Sequence, residues 1–399
     1  MVSRSVLDRI VQFNRDYPSD RIALKYAAMA ASPFGFLRGT CHLFYEFETP
    51  IESPLVWSCG DLHLQNFGTY KGDNRTVYFD INDFDEGALA PASWDLARWL
   101  TSLTLAASEL ELTPSDLSDL QTLFLDSYLT ALLTQKAKTL SATTATGFLQ
   151  DAIRGLADRD RPTFLDKRTV KDGKRRQLKA IEGKSILLPE AQQQPIRDLL
   201  KPWQNSHTED PEFFTILDIA ARIAGTGSLG LARYLILIEG KGGPDRNYLL
   251  DLKAARPSCV PAFSPSLPNF PTEADRILQI QHQNQESPPA LLSAIASPNS
   301  SYILRELQPS NDKIELHTVK DKPKRLTNLI TAMAQVTAWG QLRSSGRGSS
   351  ATADQLKQWA ETHEQWRDPL LAWVATAAHT TTTDYQTFTA ARKRGDLQK

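Results

Sequence analysis

The sequence predicts an α+β fold of two lobes, a small β-rich one and a larger helical one, on three observations. An apolar, strand-like run at residues 76–81 ends in a dense cluster of acidic side chains. A second block, residues 219–253, strings short β-prone runs between glycine-rich turns. Long stretches with helical periodicity flank both, at 91–139 and again at 324–342 and 354–378. These shifts divide the chain into a helical lobe at 1–150, a basic hairpin and connecting segment at 151–210, a β-rich lobe at 211–320, and C-terminal helices at 321–399 that complete the helical lobe.

Composition narrows the function classes. A chain of 399 residues is long enough for two cores, and a formal net charge of −1 gives no electrostatic case for nucleic acid or an anionic membrane. Three cysteines, Cys41, Cys59 and Cys259, are too few and too scattered for a disulfide framework or a zinc site. The start carries no apolar signal stretch, and no run approaches about eighteen apolar residues. The expectation is a soluble, cytoplasmic protein.

In chain order, helical patterns at 3–14 and 21–31 are broken by Tyr17-Pro18-Ser19-Asp20. Arg38-Gly39 follows, either a guanidinium placed near phosphate or an arginine capping a helix end. Residues 71–75 read as the turn of a hairpin that returns Asn66 to the side of Asp83. The helix that starts near Pro91 carries Asp95 among apolar neighbours, so Asp95 is expected to face inward and bond the backbone of the preceding loop. Residues 166–176 form a basic hairpin around Asp172-Gly173, either a grip for an anion or a solvated face. Gly225, Gly227, Ser228 and Gly230 lie between two predicted strands, the second of them Tyr234–Ile238, and a third strand ends at Lys253. Because a strand and not a helix follows the glycines, a dinucleotide-binding reading is disfavoured. An irregular Pro- and Ser-rich connection leads to a helix at 272–285, then a strand from Tyr302 into Pro309. The polar tail after the last helix is expected to fray.

The chemistry rests on residues 60–86. Asp80, Asp83, Asp85 and Glu86 crowd seven positions behind an apolar run. Carboxylates gathered in low dielectric repel one another, and a cation is the usual remedy. Asn66 and Asp83, with Asp85 as a second carboxylate, offer the hard oxygen ligands that suit Mg²⁺. Asp61, with His63 beside it, precedes Asn66 by five residues, and Asp83-Phe84 follows. That order is the arrangement of kinase-type phosphoryl transfer, in which the first Asp meets the substrate hydroxyl and the Asn and second Asp hold metal. Strand, glycine loop, strand, turn and strand ending in Lys253 would complete it, with backbone N–H groups and the ammonium on the phosphates of ATP. Two other readings of the acidic stretch are a solvated Asp-rich turn and a metallophosphoesterase Gly-Asp-x-His. The second lacks its later Gly-Asn-His block.

Gly60-Asp-Leu-His-Leu-Gln-Asn66 resembles the catalytic loop of aminoglycoside and choline phosphotransferases, and Asp83 and Asp95 resemble their metal and following-helix aspartates. The parts stand in an unusual order, since the loop at Asp61 precedes the glycines and Lys253. They fit a circularly permuted protein-kinase-like fold, with residues 326–343 supplying the helix normally upstream of the loop. The whole chain resembles a bacterial family, domain of unknown function 2252. The resemblance rests on Ser32–Gly39, Gly60–Gly68, Asn82–Glu86, Trp94–Arg98 and Gly225–Gly230. It implies a kinase-like fold without naming an acceptor. In that comparison Glu306 and Leu307 correspond to the hinge that receives adenine, and Glu273 or Gln279 to the helix residue that meets Lys253. Two departures stand out: Gln341-Leu-Arg-Ser344 replaces Ala-His-Ala-Arg, and Lys253-Ala-Ala replaces Lys-Glu-Ala. The expected function is an ATP- and Mg²⁺-dependent phosphotransferase acting on a small-molecule or protein hydroxyl. The alternatives are a nucleotide-binding pseudokinase and an AMP transferase using the same site.

Overall fold

The computed structural model describes residues 5–225, 227, 229–263, 269–308 and 318–397, and the protein is a mixed α+β molecule. Four helices open it: α1 (Val6–Asn14), α2 (Ser19–Met29), α3 (Pro33–Gly39) and the short α4 (Cys41–Phe44). Ser5 caps α1 reciprocally with Asp8, and Ser32 ahead of Pro33 starts α3, which satisfies N–H groups that have no partner within a helix. β1 (Leu55–Ser58) leads into the loop of Asp61. The hairpin β2 (Phe67–Lys71) and β3 (Val77–Ile81) follows as the turn at 71–75 predicts, and β4 (Ala88–Pro91) returns to pair with β1. α5 (Ala92–Ala106) is buried on nearly every face, and α6 (Pro114–Leu133) packs beside it. β5 (Leu140–Ser141) adds to β3.

After α7 (Gly147–Ala157) and α8 (Arg161–Asp166) come the basic hairpin β6 (Thr169–Asp172) and β7 (Arg175–Leu178) and then the larger sheet. Cations of the hairpin are spent on nearby acids: buried Arg176 bonds Asp166 at 2.6 Å and Asp245 at 2.8 Å, and Lys171 bonds Asp245 at 2.7 Å. Lys167, Lys174 and Arg175 are exposed, and Arg168 packs over the Phe164 ring. β8 (Ser185–Leu187), α9 (Glu190–Asn205), β9 (Ile216–Arg222), β10 (Arg233–Ile238), β11 (Tyr248–Ala255), α10 (Glu273–Asn284), β12 (Ser293–Ser297) and β13 (Ser300–Glu306) follow. The sheet is antiparallel throughout, in the order β12-β13-β11-β10-β9-β8. Alternation sets its faces: Ile236, Ile238, Leu250 and Leu252 pack toward α9, whereas Leu235, Leu237 and Leu249 point the other way. Asp251 and Lys253 share that second face with Leu249, and this parity carries Lys253 toward the helical body.

α11 (Pro323–Arg343) lies against α6 and α10, and its buried stripe joins the main core with Trp99, Phe124 and Tyr128. The single helix expected at 354–378 is two, α12 (Ala353–Glu361) and α13 (His363–Arg394), broken at Thr362. The tail does not fray there. Phe388, fully buried, packs with Ile10, Tyr26, Met29 and Phe36, Ala391 one turn on is buried too, and this burial overrides the weak helix propensity of Thr380–Thr383.

Candidate functional site

Gly60 sets the turn that presents Asp61. Its φ is +76°, and a Cβ placed there would stand 1.9 Å from the Glu86 carbonyl oxygen. Only glycine lets the Asp61 loop and the acidic loop approach so closely. Asp95 supports the same turn from α5: it accepts from the Ser58 hydroxyl at 2.6 Å, from Gln341 at 3.3 Å, and from the backbone of Cys59 and Gly60. The inward-facing role expected of Asp95 is therefore met, and Gln341 serves it directly. Burial still pushes the Asp95 carboxyl up to about 6.

Asp61 is fixed by Arg98, a guanidinium with no exposed surface, whose Nε donates to Asp61 Oδ1 at 2.7 Å. Asp61 Oδ2 is left without a hydrogen bond among the described residues, 3.9 Å from His63 Nε2. His63 Nδ1 accepts the Gln65 N–H at 3.1 Å, so a neutral His63 carries its proton on Nε2 and braces the loop. The Asn66 amide donates to the carbonyls of Asp61 at 3.0 Å and Asp83 at 3.1 Å. It locks the two loops together and leaves its Oδ1 as an oxygen donor. Asp80 is not part of this group, because it is buried beside Arg343 on the opposite side of β3, and burial pushes its carboxyl up to about 6.

Lys253 arrives from β11. Its ammonium is 3.3 Å from Asp83 and in direct contact with Asp85. Burial pushes Asp85 up to about 6, with the charge of Asp83 adding to the effect and Lys253 opposing it. Neither helix candidate meets Lys253: Glu273 bonds Arg276 at 2.7 Å, and Gln279 is exposed. The glycine loop is anchored by a clamp that sequence reading missed. Arg222 at the end of β9 and Arg233 at the start of β10 both grip Asp251 on β11, at 2.8 Å and 2.7 Å. The two guanidinium groups outweigh burial and hold Asp251 well below the usual carboxylate range. A hydrophobic strand interrupted by Asp two residues before Lys253 was the available signal.

Asp61, Asn66, Asp83, Asp85, Gly225, Gly227 and Lys253 all line one cavity of about 80 Å³, with Arg38 and Arg256 at its wall. That volume has room for a metal ion and phosphate oxygens and is well short of a whole nucleotide. Gly230 is elsewhere: its φ is +113° and Tyr17 covers it, so its lack of a side chain serves packing. Ser228 lies outside the described residues. Glu306 and Leu307 are not in this cavity. They line a neighbouring one of about 190 Å³ with Phe164 and Arg161. Their N–H groups already donate, Glu306 at the end of β13 to Ala290 at 2.8 Å and Leu307 just beyond it to Leu249 at 2.7 Å.

The oxygen set of Asn66, Asp83 and Asp85 fits Mg²⁺ by donor chemistry, and Lys253, Arg38 and Arg256 line the same cavity, where a phosphate would find positive charge. Residues 18–391 match the model of the domain of unknown function 2252 family, described as an uncharacterized protein conserved in bacteria, and the chain belongs to that family. No curated protein and no solved structure matches it. Among the described residues, no helix is long and apolar enough to cross a membrane.

Proposed function

We propose that this family member is an ATP- and Mg²⁺-dependent phosphotransferase with a circularly permuted, kinase-like architecture, acting on a hydroxyl acceptor. The observation that carries the reading is the convergence of Lys253 with Asp83 and Asp85 across 170 residues of sequence at one cavity. The order of β9 to β13 in the sheet, with α10 placed between β11 and β12, supports it, since this is the layout expected of a kinase nucleotide lobe. Asn66, Asp83 and Asp85 would hold the Mg²⁺, which when bound neutralises charge on phosphate oxygens. Asp61 takes the acceptor hydroxyl on its free Oδ2 and receives its proton. Arg98 fixes the carboxylate in that orientation, and Gly225 and Gly227, on the cavity wall, would let phosphate approach the backbone. With nucleotide present, the ammonium of Lys253 would turn from the carboxylates to phosphate oxygens.

A pseudokinase reading has one specific observation behind it: no carboxylate of α10 holds Lys253, and the acids that would bind metal neutralise it instead. Incubation with a cell extract and either γ- or α-labelled ATP separates the cases. Phosphotransfer moves γ-label, AMP transfer moves α-label, and a pseudokinase moves neither. Asp83→Ala is expected to abolish metal-dependent turnover, while Asp61→Ala leaves nucleotide binding in place. Equal turnover by wild type and both variants would overturn these roles.

A further inference from the structure

Sequence distance hides a second constellation. Cys41 at the start of α4, Glu86 after the acidic loop, and Cys259 beyond β11 bring two sulfur atoms and a carboxylate oxygen to within 4.8 Å of one another. Both cysteines are free thiols. We infer that Cys41, Cys259 and Glu86 form a thiolate metal site for one Zn²⁺ per chain, at the wall of the acidic cavity.

The donor chemistry selects the ion. Two sulfur ligands favour Zn²⁺ and discriminate against Mg²⁺, which takes oxygen. Three protein ligands leave the fourth tetrahedral position open, and Cys41 and Glu86 line the cavity, so that position faces water or a substrate group there. The backbone already holds one ligand, because the Cys259 N–H donates to Glu86 Oε2 at 2.5 Å and leaves the other carboxylate oxygen available. A separate observation concerns charge. Lys25 has no exposed surface, and among the described residues its Nζ makes no hydrogen bond. Phe13 and Tyr17 face the ammonium, each with its ring centre 5.3 Å away, and its nearest acidic groups include Cys259, Glu86 and Cys41. Two thiolates and a carboxylate carry three negative charges, and Zn²⁺ with the Lys25 ammonium cancels them. Binding releases the two thiol protons to solvent and moves no electrons.

The test uses the full chain, kept reduced with a non-thiol reductant and stripped by a chelator, with Co²⁺ as the probe. Expected is an intense near-ultraviolet thiolate-to-cobalt band that saturates at one equivalent, is displaced by Zn²⁺, and persists in excess Mg²⁺. Cys259→Ser, at a half-buried position, should weaken Zn²⁺ at least about tenfold, the lower bound for perturbing even an outer-shell group. Cys41→Ser should do the same, with circular dichroism reporting that each variant is folded. The absence of the band in wild type overturns the site, and so does a band unchanged in both variants, which would place the metal on Cys59. If the variants do not fold, the wild-type spectrum decides.

Discussion

Replacing Gly60 with alanine isolates the close approach on which the candidate site is built. Two costs apply. A left-handed φ of +76° costs an L-residue roughly 1–2 kcal/mol. The added Cβ also meets the Glu86 carbonyl at 1.9 Å, and relieving such an overlap by moving one loop costs about 1–3 kcal/mol more. Gly173, at the tip of the basic hairpin, supplies the internal control: its φ is +58°, but a Cβ there meets nothing within 4 Å. Only the conformational cost applies to Gly173→Ala. From average residue entropies, a chain of 399 residues unfolds with about 0.8 kcal/mol per kelvin, so each kcal/mol moves Tm by about 1 °C. Thermal unfolding followed by circular dichroism should show Gly173→Ala lowered by about 1–2 °C and Gly60→Ala by about 2–6 °C. On the proposed phosphotransferase function, the Gly60 variant should also lose metal-dependent nucleotide turnover, because the shift displaces Asp61 from Asp83. Equal destabilisation of the two variants would refute the contact between the two loops.

Arg98→Met strands the Asp61 carboxylate beside Asp83. It should destabilise the chain by about 3 kcal/mol, the low end for breaking a buried pair because Asp61 is partly exposed. Adding Asp61→Asn should recover part of that loss in a double-mutant cycle, and strict additivity would count against the pair. Asp95 titrates near 6 in the fold, above its unfolded value near 3.8, so the native state binds the proton more tightly. Its contribution is therefore lost as pH rises from about 4 to 6. Across that window Asp95→Asn should gain Tm relative to wild type, and a constant difference would refute the shift. Phe388→Ala should cost about 3–5 kcal/mol by urea unfolding, whereas a frayed tail would show almost none.

Much of the candidate site could be read along the chain because its acidic half is local. Asp61, Asn66, Asp83 and Asp85 fall within one strand–loop–hairpin unit, where spacing translates directly into geometry. Residue propensity likewise placed Lys253 at the end of a strand. Less legible were the partners. Glu273 and Gln279 competed for Lys253 on helical position alone, and neither reaches it, because the acidic loop comes closer than the helix does. For Glu306 and Leu307, residue types likewise could not show that both N–H groups already have backbone partners.

By itself, the amino-acid order determined the α+β class, the hairpin after Asn66, the inward-facing Asp95 and the acidic cluster, since each depends on neighbours within a turn or two. Tertiary structure decided everything that joins distant segments: the Arg98–Asp61 pair, the clamp of Arg222 and Arg233 on Asp251, the meeting of Cys41 with Cys259, and the docking of Phe388 against the first helices. Charge and hydrophobicity fix which groups need a partner, but only the packed chain fixes which partner comes within reach.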